Sequence, residues 1–132
     1  MIVLDTHALI WWVSGETSKL SKKAHQSIDD ELRAGQIIVS SISAWEVAML
    51  VARDRLALSV DVHQWLAMVG EIDRVSFKPV DNTIAARSCT LPGEFHKDPA
   101  DRMIVATARE LAAPVVSADA KIIAYPHVVT IW

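Results

Sequence analysis

This chain of 132 residues is short of several things, and each shortage narrows what it can be. It has one cysteine, Cys89, so no internal disulfide can form, and a cytoplasmic location is the default expectation. As a lone thiol, Cys89 is expected to be a small buried apolar residue rather than a nucleophile. No apolar run approaches the ~20 residues that a bilayer span needs, so no membrane association is expected. The opening Met1-Ile2-Val3-Leu4-Asp5 has no basic stretch ahead of its apolar run and meets an acid at once; it reads as a core strand, not a secretory leader. Positive charge is scarce too. With 13 Lys+Arg against 16 Asp+Glu the net charge is −3, which argues against a generic coat for nucleic acid. There is no internal repeat, low-complexity tract or linker.

What is present is apolar material in short, ordered runs. Hydrophobic residues make up 52% of the chain. A chain of this length buries roughly two-thirds of its unfolded surface, so residues 1–132 are expected to form one domain. Ile2-Val3-Leu4, Ile37-Ile38-Val39, Val75-Ser76-Phe77, Pro114-Val115-Val116-Ser117 and Val128-Val129-Thr130-Ile131 read as strands. Helices are expected over Ala8–Trp12, Ser18–Ala34 (stopped by Gly35), Ser43 to about Arg53, Asp61–Val69 (ended by Gly70), a short stretch through Ala86 capped by Asp81-Asn82, and Pro99–Ala112. The strands are continuous apolar runs rather than alternating ones, as when both faces of a sheet are covered. The expected fold class is α/β with a mainly parallel sheet. In such folds ligands bind outside the carboxyl ends of the strands.

Acids sit at just those places. Asp5 follows the first strand, Asp119 follows the fourth, and Asp98-Pro99-Ala100-Asp101-Arg102 opens a helix. Each has an ordinary explanation. Asp98 before Pro99 is a helix cap with Pro in the first turn, and Asp101 then favours the helix dipole. Ser43-Ala44-Trp45-Glu46 has the form of a capping box. Asp5 and Asp119 suit turns. Two features point further. Asp101 shares a helical stripe with Ile104, Val105, Ala108 and Leu111, and Glu46 shares one with Met49 and Leu50, so both acids are expected to face inward. An inward carboxylate is costly unless it is paired or binds a metal, and no Lys or Arg is spaced to pair with them all. Oxygen-only ligands suit Mg²⁺ or Mn²⁺ better than zinc. Setting these five acids aside leaves 11 against 13 bases, a mild positive balance that is compatible with a polyanionic substrate.

Four segments taken together resemble a known family. Val3-Leu4-Asp5-Thr6-His7-Ala8-Leu9-Ile10-Trp11-Trp12, Ser43-Ala44-Trp45-Glu46-Val47, His96-Lys97-Asp98-Pro99-Ala100-Asp101-Arg102 with the apolar run to Ala108, and Val116-Ser117-Ala118-Asp119 are similar to the ordered motifs of PIN-domain proteins. More narrowly, they resemble VapC-type toxins of bacterial toxin–antitoxin pairs. The likeness spans nearly the whole chain. It implies a three-layer α/β/α sandwich and a Mg²⁺-dependent endoribonuclease, with Mn²⁺ as a substitute ion, neutralised by a cognate antitoxin and paired as a homodimer. Asp5, Glu46, Asp101 and Asp119 match the family's catalytic quartet. Asp5 and Asp101 would be direct metal ligands, while Glu46 and Asp119 would hold water or a second ion. Asp98 matches an extra acid of the subgroup, and Ser117 stands where many relatives carry Thr.

Other residues have two readings. Thr6 is expected to cap the first helix and touch the site, and His7 to be structural. His96 is a candidate to contact substrate or orient a carboxylate, and Arg102 to hold a substrate phosphate. Arg53, Arg55, Lys97 and Lys121 have the same possible use, with solvated surface charge as the ordinary alternative. Trp12 and Trp45 lie in apolar helices, which favours core packing, or a protein interface, over stacking on bases. Two rival functions are a phosphotransfer or receiver domain, disfavoured because Asp5-Thr6-His7 carries one acid only, and a catalytically inactive PIN-fold module that binds RNA or protein.

Overall fold

The computed structural model describes all residues, Met1–Trp132. Its elements are β1 (Ile2–Leu4), α1 (Thr6–Val13), a 3₁₀ turn (Thr17–Lys19), α2 (Lys22–Ala34), β2 (Ile37–Ser40), α3 (Ser41–Ala52), α4 (Val62–Glu71), β3 (Val75–Lys78), α5 (Asn82–Cys89), α6 (Pro99–Leu111), β4 (Val115–Val116), α7 (Ala120–Ile123) and β5 (Thr130–Ile131). The five strands form one sheet in the order β3-β2-β1-β4-β5, and every pairing is parallel. The sheet is therefore wholly, not mainly, parallel.

Alternation along each strand divides the core between the two faces. Ile2, Leu4, Ile37, Val39, Val75 and Val116 pack on one side with Ala8, Leu9 and Ile10 of α1, Ala24 and Ile28 of α2, Val47 of α3 and Trp65 and Val69 of α4. Val3, Ile38 and Val115 pack on the other with Ile84 of α5, Ile104, Val105 and Ala108 of α6 and Ile122 of α7. This is a three-layer sandwich. Leu4, Leu9 and Ile104 are fully buried, and truncating any of them to Ala is expected to cost about 2–5 kcal/mol.

The strand order places a switch point beside β1. From β1 the chain crosses to β2 on one side, while β4 docks on the other, so the connections diverge at the carboxyl ends of β1 and β4 and leave a crevice there. The Asp5 amide donates to Val116 O at 3.1 Å, which fixes the two strand ends side by side.

Several boundaries differ from the sequence reading. The stretch Ser18–Ala34 is not one helix: Ser21 accepts from Ala24 N at 3.1 Å and starts α2 afresh after the 3₁₀ turn. Helix α3 begins at Ser41 under a Ser40 cap, because β2 ends at Ser40 and that hydroxyl accepts from Ile42 N. Gly70 lies inside α4 rather than ending it, and close to the Phe77 ring. Helix α5 runs on to Cys89, whose side chain is exposed and not part of the core. The last strand is only Thr130–Ile131. No helix is long and apolar enough to cross a membrane.

Candidate metal centre at the carboxyl edge of the sheet

The crevice at the switch point is a cavity of about 400 Å³, and Asp5, Glu46, Asp98, Asp101 and Asp119 all line it, with Thr6, His7, Trp11 and Ala118. The fold thus brings together carboxylates drawn from four distant segments. No lysine or arginine is in the lining.

Local structure explains how each acid is held. Asp5 is the N-cap of α1: its Oδ1 accepts from Ala8 N at 2.9 Å. Capping therefore falls to Asp5 and not to Thr6, which is the first residue of the helix. Asp98 caps α6 by accepting from Asp101 N at 2.9 Å, with Pro99 behind it in the first turn. Asp119 caps α7 by accepting from Lys121 N at 2.8 Å. The ordinary capping roles and the shared cavity coexist, since a capping carboxylate keeps lone pairs for a second partner.

Glu46 is held differently, and the capping-box expectation fails. Ser43 is fully buried two residues inside α3 and caps nothing. Instead Thr6 Oγ1 donates to Glu46 Oε1 at 2.6 Å. Having spent its one proton there, Thr6 accepts from Ser43 Oγ at 2.9 Å. The chain Ser43–Thr6–Glu46 ties the start of α1 to α3 and aims the glutamate. The buried stripe of α3 runs through Ser43 and Val47, so Glu46 sits at its border rather than on the inward face. Ser117 has a matching task at the end of β4. Its hydroxyl accepts from Asp119 N at 3.0 Å and lies near enough to Asp5 to lower that carboxyl's pKa, so it stands between the two acids.

The electrostatic strain of this arrangement falls on two residues. Burial raises the Asp5 carboxyl above its ordinary value, against the lowering effect of its hydrogen bonds from Ser117 and Ala8. Asp101 is pushed up from 3.8 to about 7, first by burial and then by the charges of Asp98, Asp119, Glu46 and Asp5. The repulsion follows from the shared crevice that these acids line. His96 Nε2 lies 2.9 Å from Asp101 Oδ2, at an angle short of a proper hydrogen bond, and no other protein atom serves that buried nitrogen.

Arg102 is placed elsewhere. Its Nε donates to Ser88 O at 2.7 Å, and its Nη1 donates to Phe95 O at 3.0 Å and His96 O at 3.2 Å. Arg102 thus has a structural task that sequence reading did not foresee: its Nε and Nη1 are engaged by backbone carbonyls, away from the cavity lining. Trp45 is 57% exposed, so of its expected uses core packing is the one the structure excludes. Sequence reasoning missed Ser43 as a supporting hydroxyl and Trp11 as a cavity wall. Only the spacing of Thr6 from its strand end hinted at the former.

The donor set fits a hard divalent cation. Every acid is an oxygen ligand, the lining holds no competing side-chain ammonium or guanidinium, and Asp101 carries repulsion that a cation relieves. No three acidic, His or Cys side chains already close on one point. The acids line the walls instead, which leaves room for water in the coordination shell, as Mg²⁺ prefers.

The model of the PIN domain matches residues 2–128. The chain belongs to the PIN-domain family. Over 134 aligned positions, covering 99% of this chain and 98% of the other, it is 36% identical to a protein named Ribonuclease VapC22 from Mycobacterium tuberculosis. Its fold resembles that of the VapBC2 complex from Rickettsia felis bound to a DNA fragment from its promoter, with a TM-score of 0.72, 15% identity and coverage of 98% of this chain and 97% of that one. It also resembles a chain of a toxin–antitoxin complex from Klebsiella pneumoniae, with a TM-score of 0.66, 24% identity and the same coverage. PIN ribonucleases are generally dependent on a divalent metal.

Proposed function

We propose that this PIN domain is a metal-dependent endoribonuclease and the toxin of a toxin–antitoxin pair, held silent by a cognate antitoxin. The observation that carries the chemical half is geometric: Asp5, Glu46, Asp98, Asp101 and Asp119, drawn from four segments, line one crevice that has no lysine or arginine in its walls. The name of the 36% identical relative supports RNA as substrate, and the complexes in which the structural neighbours were solved support an antitoxin partner. In this reading the protein works in the cytoplasm as a homodimer.

Mg²⁺ is the expected ion, with Mn²⁺ as a substitute, and Asp5 and Asp101 would be its direct ligands. When bound, the ion supplies charge neutralisation at the phosphoryl group and lowers the pKa of a water. The remaining work belongs to the chain. Asp101, as the carboxylate, would hold the ion together with Asp5. Thr6 fixes one Glu46 oxygen, which turns the other toward the cavity. Glu46 and Asp119 then hold and orient the attacking water. Ser117 keeps Asp5 in register with Asp119, Asp98 adds charge at the rim, and His96 positions Asp101 rather than touching RNA.

Cleavage of a fluorophore-quencher RNA tests the assignment. Wild-type protein with Mg²⁺ is expected to cleave, EDTA to stop it, and Asp101→Asn to abolish it while preserving the fold by circular dichroism. Undiminished cleavage by Asp101→Asn overturns the assignment; RNA binding with no cleavage under any metal favours an inactive binding module.

A further inference from the structure

The acid cavity opens on a second groove and shares two of its walls, Glu46 and Asp98. The groove encloses about 420 Å³, and the rest of its lining is dominated by Ile42, Trp45 and Met49 of α3 and Pro99 of α6. Trp45 forms one side with more than half its surface in water, although an indole is among the most favourable side chains to bury. Another wall of the acid cavity, at His7 and Trp11, is shared with a third cavity that carries Arg55 and the Lys19–Glu16 ion pair. The acids thus stand between an apolar shelf and a flank on which Arg55 is the cation without a carboxylate partner.

That juxtaposition matches one ligand chemistry. An unpaired polynucleotide alternates anionic phosphates with flat apolar bases, and each base hangs one sugar from its phosphate. Proteins that take single strands combine a cationic track with aromatic platforms. A paired strand keeps its bases stacked inside and has no face to offer an indole. A second copy of the chain is a poor occupant, because a two-fold contact here would bring each copy's Glu46 and Asp98 toward the other's and desolvate like charges.

We propose that the Trp45 shelf is a base-binding subsite, in which the indole stacks on the base of an unpaired RNA nucleotide next to the scissile phosphate. The proposal rests on the ribonuclease reading above and adds a specificity-determining residue to it. It places one base contact, made by Trp45, beside the metal cavity.

The test separates the two claims by measuring binding apart from cleavage. Anisotropy of a short fluorescein-labelled unpaired RNA is measured with Mg²⁺ in the Asp101→Asn background, with and without Trp45→Ala or Trp45→Phe. Trp45→Ala is expected to weaken binding about tenfold, within the range for loss of one base stack, and Trp45→Phe to keep most of the affinity. Removing the base at one position of the RNA should weaken the parent protein to a similar degree and leave Trp45→Ala unaffected. Unchanged affinity in Trp45→Ala overturns the proposal. So does a loss that no abasic position absorbs, or one that sedimentation traces to dissociation of a dimer. If Trp45-dependent binding holds but wild-type protein never cleaves, the ribonuclease assignment fails and the shelf stands.

Discussion

At the amino edge of the sheet Glu31 meets a cation: the Met1 ammonium lies 2.9 Å from its Oε1, and its Oε2 accepts from Gln36 N at 3.0 Å. Its carboxyl is lowered below the usual value, first by the hydrogen bond from that ammonium. At the carboxyl edge five acids gather without a lysine or arginine among them, and Asp101 is driven up to about 7. The same sheet therefore carries a satisfied carboxylate at one end and frustrated ones at the other. A fold seldom leaves partly buried like charges together unless something outside the chain relieves them. The contrast marks the carboxyl edge as the place where stability is given up for chemistry.

The strongest way to break this contrast is to neutralise the frustrated end. Asp101→Asn is expected to reduce RNA cleavage by about a thousandfold or more, measured under single-turnover conditions. The same variant should be more heat-stable than wild type when metal-free at a pH above 7, by about 5 °C in a thermal melt. The sign follows from linkage. A carboxyl raised from 3.8 to about 7 favours the folded state when protonated, so its contribution is present below 3.8 and lost as pH rises through about 7. The advantage of Asp101→Asn should accordingly vanish as pH falls toward 3.8, and a constant advantage at all pH would contradict the repulsion.

Metal offers a second lever. Saturating Mg²⁺ should stabilise wild type by about 2–3 kcal/mol at a hundredfold excess over its dissociation constant, and Asp101→Asn by much less. Equal stabilisation of the two would remove Asp101 from the ligand set. A third, smaller effect is expected at the support layer. Thr6→Val releases Glu46 and leaves the buried Ser43 hydroxyl unpaired, which should cost about 1–3 kcal/mol in urea unfolding and reduce cleavage as well. The smallest effect belongs to the satisfied end. Glu31→Gln should cost less than about 1 kcal/mol and leave cleavage unchanged. Its pH dependence runs the other way: a lowered carboxyl contributes above 4.5 and loses that contribution as pH falls.

Much of this was legible in the sequence because two signals are strong and local. Continuous apolar runs mark strands covered on both faces, and acids directly after such runs mark the edge where they end. That sufficed for the layered fold and for Asp5 and Asp119, while Asp98 and Asp101 were legible from the cap-and-Pro opening of their helix. What stayed hidden depends on register and on loop path. Either Ser40 or Ser43 is a sound cap by composition; the parallel pairing of Ser40 with Lys78 keeps the strand going to Ser40 and hands the cap to it. Helical spacing put Glu46 on an inward face, but only the hydroxyl relay through Thr6 explains how it is aimed. Arg102 beside two acids invites an electrostatic role, and nothing in the local sequence shows three carbonyls waiting for it. Cys89 and Trp45 were misplaced for one reason: residue type predicts average burial, not which helix face is left open.

Arg102 has a consequence for anyone who would exchange parts between relatives. Its guanidinium fastens the end of α5, at Ser88, to the loop at Phe95 and His96, so it acts as a rivet joining the segment before the acid-bearing helix to the helix itself. The segment from 88 to 102 is thereby a module with its own fastener. Grafted whole into another scaffold, it would bring the placement of His96 against Asp101 with it; transplanted without Arg102, the same loop would arrive with its spacing unset.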